Sequence, residues 1–320
     1  MARLILRKLV LMVFILGLLS YVAYHYALLH PELFTLPFGG VPDEPPPRPE
    51  SHYFEFLRGL LQGDLGEIAF TPIADVLREP IINSFVLLIC ALTVTICLGL
   101  LFGFLAISPR TSRLRPVALA LLAAGSSMPG FVFGAVVLSL LVYQILFTAA
   151  KEPWLPLSGY GLDGHLILPV IVLAIQPTFH LAKVVAGLLE NELQKDYILV
   201  ARSKGLTRSL VFGRHAWRNM LSPVLITIGE AARLMIGGLV IVEAIFLWPG
   251  IGRIFLNAIG LRLNSFGANE FFGNPNLIAI LAVLIGGALL FADLVTSVLA
   301  YQLDPRLSYG SGDDRTEVLD

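Results

Sequence analysis

Long apolar runs separated by shorter polar stretches set the pattern of this chain. Six of the runs approach or exceed the length of about 20 residues that a helix needs to cross a bilayer. The third run is long for one crossing, and Pro129-Gly130 inside it predicts a kink or tilt. The pattern therefore predicts an all-α membrane protein with six transmembrane helices, at about 5–29, 84–107, 116–147, 165–189, 221–247 and 277–301.

The composition supports a single membrane domain. Hydrophobic residues make up 56% of the 320 residues and charged residues only 14%, whereas soluble domains carry about 25% charged residues. The net charge is -1 and the basic residues form no dense tract, so nucleic acid is not an expected partner. Cys90 and Cys97 lie about 10 Å apart on a helix, too far for a disulfide, and we interpret both as small apolar residues. No metal-ligand spacing occurs, and no cofactor is expected.

The distribution of positive charge predicts the orientation. With a cytoplasmic N-terminus, 14 Lys and Arg residues fall on the cytoplasmic side and 6 on the opposite side. The positive-inside rule then places both termini in the cytoplasm. The predicted organisation is an uncleaved first transmembrane helix at 1–30, an extracytoplasmic segment with a Pro-rich stretch at 31–80, a five-helix core at 81–305 that includes a cytoplasmic loop at 190–222, and a cytoplasmic tail at 306–320.

The cytoplasmic loop has an amphipathic pattern that a random linker would lack. Asp196 is a candidate N-cap of a short helix that ends at Gly205 in a left-handed conformation, with Leu206 folding back. Thr207 then caps a second short helix. Two interpretations remain open: a helix pair held on the lipid surface by its basic residues, or a docking element that inserts into a groove of another protein.

Several ionisable residues fall inside or near the apolar runs, where an unpaired charge costs several kcal/mol. They must therefore face protein or water. Glu230 and Arg233 are three residues apart on a helix, so they can pair along one face. The group either lines a translocation path or serves structural pairing, with Lys183 and Glu243 reaching towards the membrane surface. Its members are His180, Lys183, Glu230, Arg233, Glu243 and Asp293, of which Glu230, Arg233 and Asp293 are the candidate pore residues.

The loop carries many fixed residues at fixed spacing: Asp196-Tyr197, Ala201-Arg202-Ser203-Lys204-Gly205-Leu206, His215-Ala216, Arg218-Asn219 and Pro223. With these residues it resembles the coupling loop of the permeases of dipeptide, oligopeptide and nickel ABC importers. Further landmarks follow in the order of that family: Met128-Pro129-Gly130-Phe131, Val242-Glu243, Trp248-Pro249-Gly250-Ile251-Gly252-Arg253 and Leu303-Asp304-Pro305-Arg306. One departure concerns Asp293 and Ser297, which stand where the family pattern has an Asn and then an Asp.

The resemblance implies a type I ABC-importer permease fold in the plasma membrane of a prokaryote. It implies a translocation path for peptides or a related small solute, a second permease subunit in a heterodimer, two cytoplasmic ATPase subunits and an extracytoplasmic solute-binding protein. ATP hydrolysis is expected on the partners, in keeping with the lack of a phosphate-binding loop sequence here. By position, the residues implied to contact the ATPase are Asp196, Tyr197, Ala201, Arg202, Lys204, Gly205 and Leu206.

Two other classes of protein are weighed against this one. A secondary transporter could move protons through Asp293, Glu230 or Glu243, but it would leave the loop pattern unexplained. An intramembrane hydrolase could use His180 or Ser126, but the sequence offers no nucleophile and base at a persuasive spacing.

Overall fold

The computed structural model describes residues 2–29, 51–68, 70–108, 111–147, 155–156, 158–203, 216–260 and 273–303. The helices in these ranges are α1 (Ala2–Leu29), α2 (Tyr53–Gln62), α3 (Ile73–Leu105), α4 (Pro116–Ser127), α5 (Gly130–Phe147), α6 (Gly164–Leu193), α7 (Asp196–Ser203), α8 (Trp217–Ile245), α9 (Ile251–Ala258) and α10 (Pro275–Leu303). A short antiparallel pair, β1 (Glu67–Ile68) and β2 (Thr71–Pro72), precedes α3.

Six helices are long and apolar enough to cross a membrane: α1, α3, α5, α6, α8 and α10. They confirm the predicted all-α architecture with six spans. The helix of the second span begins at Ile73, earlier than the apolar run at 84, and it contains Pro80. It therefore starts inside the segment 31–80 that was assigned to the external side. The Pro-rich stretch at 42–49 lies outside the described residues.

The third apolar run differs from its prediction. Instead of one kinked span it forms two helices, α4 and α5, and α4 has only 12 residues. Met128 between them is extended, with φ -89° and ψ 122°. A proline disfavours the helical conformation of the residue before it, so Pro129 ends α4 at this point and α5 starts a new helix. Only α5 has the length of a span.

The centre of the bundle is α6, which packs against α3, α4, α5 and α8. Its contact with α3 depends on Gly99 and Gly103, which are spaced one turn apart. A Cβ atom at Gly99 would lie 2.8 Å from Leu181 Cδ2, and one at Gly103 would lie 2.7 Å from Val185 Cγ1. Small residues at this spacing let membrane helices approach closely. The α3–α6 pair is thus fixed by shape.

The first helix occupies the edge of the bundle, where it packs mainly on α10. Much of its surface is exposed, including the apolar side chains of Val13 and Phe14. Near its far end, Tyr24 stacks on Phe56 of α2 with ring centroids 5.4 Å apart. The exposed apolar flank of α1 is suited to lipid or to another membrane subunit.

Candidate functional site

The predicted first helix of the loop is present as α7, directly after α6. The helix begins at Asp196, which therefore stands in the first turn rather than at the capping position predicted. Ile198 is wholly buried and contacts Ala216, just before α8. This contact holds α7 against the start of the following span.

The remaining parts of the loop prediction fall beyond the residues that the structure describes. These parts are Lys204, Gly205 and Leu206, the elbow and the second helix. Ala201 and Arg202 belong to α7, but their side chains lie outside the described set. Their assignment to an ATPase contact stays a prediction.

A hydrogen-bonded cluster joins α7 to both neighbouring spans. Glu192 lies in the last turn of α6 and is buried. Its carboxylate accepts from the hydroxyl of Tyr197 and, at 2.7 Å, from Asn219 Nδ2 at the start of α8. Lys195 Nζ pairs with the same carboxylate at 2.5 Å. We call these four residues the Glu192 cluster. Hydrogen bonds to a charged group are roughly twice as strong as neutral ones, so the cluster braces α6, α7 and α8 together.

The tyrosine of this cluster is held in its donor form. Burial, and next the hydrogen bond to the Glu192 carboxylate, raises the pKa of Tyr197 to about 12. The phenol therefore stays protonated at neutral pH and donates to Glu192. Asn219 Nδ2 also lies 3.2 Å from the Tyr197 hydroxyl, so the amide contacts both partners.

Sequence reasoning missed Glu192, which looked like an ordinary polar residue after an apolar run. The only indication in the sequence was that Glu192 lies five residues before Tyr197, a residue of the family's loop pattern. The turn at Gln194 and Lys195, which brings Tyr197 to Glu192 at the end of α6, cannot be predicted from the apolar periodicity.

A second group of polar side chains lies within the spans, near the middle of α6 and α8, in the second half of α10 and close to the start of α1. His180 Nε2 is 3.2 Å from Glu230 Oε2, and Arg233 Nη1 is 3.4 Å from Asp293 Oδ1. Lys8 Nζ of α1 lies 2.6 Å from the other oxygen of Asp293. We call these five residues the polar seam. The hydroxyl of Ser297 extends the group by accepting from Lys8.

The pairing of Glu230 with Arg233 that their spacing permits does not form. Each of the two side chains pairs with a residue of another helix, Glu230 with His180 of α6 and Arg233 with Asp293 of α10. A spacing of three residues permits a pair within one helix. A pair between helices offsets the cost of two intramembrane ionisable groups and also links two spans. Lys8, which was counted only as a cytoplasmic charge, is a member of the seam.

The seam keeps a substantial exposed surface. Glu230 exposes 43% of its side chain and Asp293 exposes 46%. An ionisable side chain at the centre of a bilayer costs about 2.5–3.5 kcal/mol on insertion scales. This face of the chain is therefore unsuited to hydrocarbon and suited to water or to another protein.

Beside the seam lies a cavity of about 310 Å³, between the start of α5, α6 and α8. Arg233 and Gln176 are its polar side chains, and the other walls include Pro129, Pro177 and Gly237. A second cavity of about 370 Å³ lies between α3, α8 and α10, and its walls are almost wholly apolar. Only the first combines a charged group with room for a solute.

Glu243 has a different environment from the seam. It is wholly buried, and its carboxyl oxygens accept from Ser84 Oγ at 2.5 Å, Gly252 N at 2.7 Å and Arg253 N at 3.3 Å. The expectation that Glu243 reaches towards the membrane surface is wrong, because its carboxyl group satisfies the first turn of α9. We call Glu243 with its three donors the Glu243 joint, which connects α3, α8 and α9.

The joint also explains part of the landmark at 248–253. The indole of Trp248 donates to the carbonyl of Asn83 at 3.2 Å, and the Asn83 amide donates to the carbonyl of Pro249 at 3.0 Å. A Cβ atom at Gly252 would lie 2.5 Å from the backbone of Val240, so this position requires glycine. The landmark is therefore a structural connection.

The remaining intramembrane candidates are paired within the bundle. Lys183 Nζ donates to Ser126 Oγ at 3.0 Å, and Ser126 donates to the carbonyl of Ala123. His180 faces Glu230 instead. The two residues that a hydrolase would have used are thus engaged separately.

A bundle of six spans with a braced loop helix and a polar face within the spans fits a polytopic membrane permease. The chain belongs to the family of binding-protein-dependent transport system inner membrane components, whose model matches residues 73–309. The chain is accordingly a translocation subunit of a binding-protein-dependent importer and a multi-pass protein of a prokaryotic plasma membrane. It works within a transport complex, and permease components of this kind are not themselves ATPases.

Individual relatives agree with this family. The chain is 30% identical to the glutathione transport system permease protein GsiC of Pectobacterium atrosepticum, over 67% of this chain and 69% of the relative. It is 30% identical to the probable peptide ABC transporter permease protein y4tP of Sinorhizobium fredii, over 78% and 77%. It is 26% identical to the oligopeptide transport system permease protein AppB of Bacillus subtilis, over 80% of both chains.

Proposed function

We propose that this chain, paired with a second permease subunit, forms the membrane path of an ATP-driven importer for peptides or related small solutes. The names of the relatives support the class of solute, since they refer to glutathione, peptides and oligopeptides. An external binding protein delivers the solute, and two ATPase subunits supply the energy. The excess of positive charge on one side supports a cytoplasmic location of the termini and α7.

The Glu192 cluster is the observation that carries this proposal. A helix that is attached to both flanking spans by hydrogen bonds to one buried carboxylate can transmit a displacement to α6 and α8 at once. A lipid-surface helix would not need such attachment. The loop therefore serves as the docking element for the ATPase, through Asp196, Tyr197, Ala201, Arg202, Lys204, Gly205 and Leu206. The Tyr197 hydroxyl acts internally, as a brace.

The polar seam supports the assignment of the path. Glu230, Arg233 and Asp293 need water or protein at mid-depth. A path between this chain and the second permease subunit supplies both. Rocking of the α6–α8 pair against the partner then opens the path to one side of the membrane or the other.

The experiment compares uptake with ATP hydrolysis in the complete importer. Glu192→Ala removes the acceptor shared by three donors, so we expect ATPase association to persist while solute moved per ATP falls about tenfold or more. The control is Glu190→Ala, a carboxylate of the same helix end that accepts from the backbone N–H of Leu114 at 3.0 Å. Unchanged coupling in the Glu192 variant would contradict the transmission role.

The docking role has its own test. Gly205→Val places a β-branched residue where the loop pattern requires an elbow, and we expect both uptake and ATPase association to fall. Wild-type levels of both would reject docking. Uptake that survives loss of the ATPase and collapses with an uncoupler would instead support a proton-driven transporter.

A further inference from the structure

The cavity beside the polar seam has the size and position of a solute site. It lies between the start of α5, the first half of α6 and the second half of α8, and has a volume of about 310 Å³. Ligand pockets measure about 300–1,000 Å³, so this one suits a molecule of a few heavy atoms up to a small peptide. Apolar side chains form most of its wall, and Arg233 and Gln176 supply the polar side chains.

The charges around Arg233 leave it incompletely neutralised. Asp293 is its partner within the described ranges, at 3.4 Å, and that carboxylate is shared with Lys8, which approaches to 2.6 Å. The Asp293 carboxylate thus pairs with two cations and lies closer to Lys8 than to Arg233. Glu230, three residues away on α8, faces His180. A guanidinium has five N–H donors, so Arg233 keeps donors for a further anion.

Two other groups on the wall match the backbone of a peptide. Pro177 lacks an N–H, so it cannot donate to the carbonyl of Leu173, and both residues line the cavity. The side-chain amide of Gln176 makes no hydrogen bond in the part of the chain that the structure describes. Gly237 and Gly238 carry no side chains that would fill the space. The wall therefore offers a guanidinium and a side-chain amide to one solute, beside a carbonyl that cannot pair with residue 177.

We propose, resting on the importer function above, that this cavity is a solute station in the translocation path and that Arg233 recognises a carboxylate of the solute. A guanidinium matches the planar, two-oxygen shape of a carboxylate in a way that an ammonium cannot. The class of ligand is small solutes with a free carboxylate, such as the C-terminus of a peptide. A solute carboxylate accepts from the N–H groups of Arg233 that its single 3.4 Å contact with Asp293 does not use.

The first test measures the charge of the cavity and needs no knowledge of the natural solute. A Cβ atom at Gly237 meets nothing within 4 Å, so Gly237→Cys places a thiol in the cavity one turn from Arg233. In the assembled complex with Cys90→Ala and Cys97→Ala, the thiol is labelled with an anionic and with a cationic methanethiosulfonate. The ratio of the two rates cancels differences in access.

We expect Arg233→Gln to lower the anionic-to-cationic rate ratio on the order of tenfold, because a cation about 6 Å away is removed from a poorly screened site. Arg233→Lys should keep the ratio. Lys183→Gln is the matched control, since Lys183 is a cation of the same spans that pairs with Ser126 and does not line the cavity. An unchanged ratio in Arg233→Gln overturns the inference.

The second test uses glycylglycine and glycylglycinamide as probes and a neutral methanethiosulfonate as the label. We expect the free acid to slow labelling of the Gly237→Cys thiol several-fold more than the amide does. Arg233→Gln should abolish this difference, and Arg233→Lys should restore part of it. Equal protection by both probes, or by neither, overturns carboxylate recognition. If the protein imports peptides but the acid and the amide protect equally, carboxylate recognition fails and the proposed importer function stands. If the acid protects better but the protein imports no peptide, the importer function fails and carboxylate recognition stands.

Discussion

Two carboxyl groups inside the spans of this protein have opposite surroundings. Glu243 is wholly buried and receives three hydrogen bonds from Ser84 and from the first turn of α9. Asp293 exposes nearly half of its side chain and is divided between two cations of different helices. Both are acidic residues in apolar helices, and hydropathy alone does not separate them. Burial and the supply of fixed donors distinguish a structural joint from a surface that meets water or a ligand.

Replacement of Glu243 should have the largest effect on this comparison. Glu243→Leu leaves the Ser84 hydroxyl and two backbone N–H groups buried without an acceptor, and each such group costs about 1–3 kcal/mol. We expect the free energy of unfolding in mixed micelles to fall by about 3 kcal/mol or more. Asp293→Leu, on the exposed side of the comparison, should cost clearly less. Equal losses would remove the distinction between joint and seam.

Two serine hydroxyls offer a matched pair at a finer scale. Ser84 donates to Glu243 and accepts from the backbone N–H of Ile251 at 2.9 Å, whereas Ser297 accepts from Lys8 at the seam. We expect Ser84→Ala to cost about 1–2 kcal/mol, because it leaves buried partners unsatisfied. Ser297→Ala should stay within about 0.5 kcal/mol, since water can replace the hydroxyl. The same unfolding measurement applies, and a reversed order would contradict the comparison.

The ion pair of the seam can be isolated by a double-mutant cycle. Lys8 and Asp293 are about one third and one half exposed, so water screens their attraction. We expect a coupling energy of about 0.5–1 kcal/mol from the cycle of Lys8→Met with Asp293→Asn. A coupling of several kcal/mol would mean that the pair is sealed from water, which would move the seam to the structural side.

The smallest effect concerns pH and the Glu192 cluster. The folded-state pKa of Tyr197 is about 12, above the value of about 10 in an unfolded chain. A raised pKa stabilises the fold fully below pH 10, and this contribution disappears as pH rises towards 12. Between pH 6 and 9 the difference in ATP coupling between wild type and Tyr197→Phe should therefore stay constant. A difference that changes in this window would show that the phenol titrates near neutrality.

The spans could be predicted from the sequence because the bilayer imposes their length, and six runs satisfy it. The only sequence feature that marked the end of α4 at Met128 was Pro129. A proline is equally compatible with a kinked helix and with two separate helices, and the packing of the neighbouring helices decides between them. Pairing at the seam could not be predicted. Spacing along α8 reports only local neighbours, whereas the partners of Asp293 are 60 and 285 residues away in sequence.

The site followed the same division. The helix at Asp196 could be predicted from its amphipathic pattern. Its attachment to Glu192 could not, because the turn at Gln194 and Lys195 decides which side chains meet. Glu243 was recognised as part of a family landmark, yet its role required the position of α9. Hydrophobic periodicity therefore predicts the helices themselves. It does not predict the contacts between helices, which depend on their packing.

The contact between Lys8 and Asp293 also has a consequence for how the protein is made. The first helix leaves the ribosome 285 residues before its partner, and at about 5–20 residues per second this delay lasts on the order of 15–60 s. During that time α1 resides in the membrane with an ammonium group that has not met its carboxylate. Arrival of the last span brings Asp293 to Lys8, so this ion pair can form only after residue 293 has been synthesised.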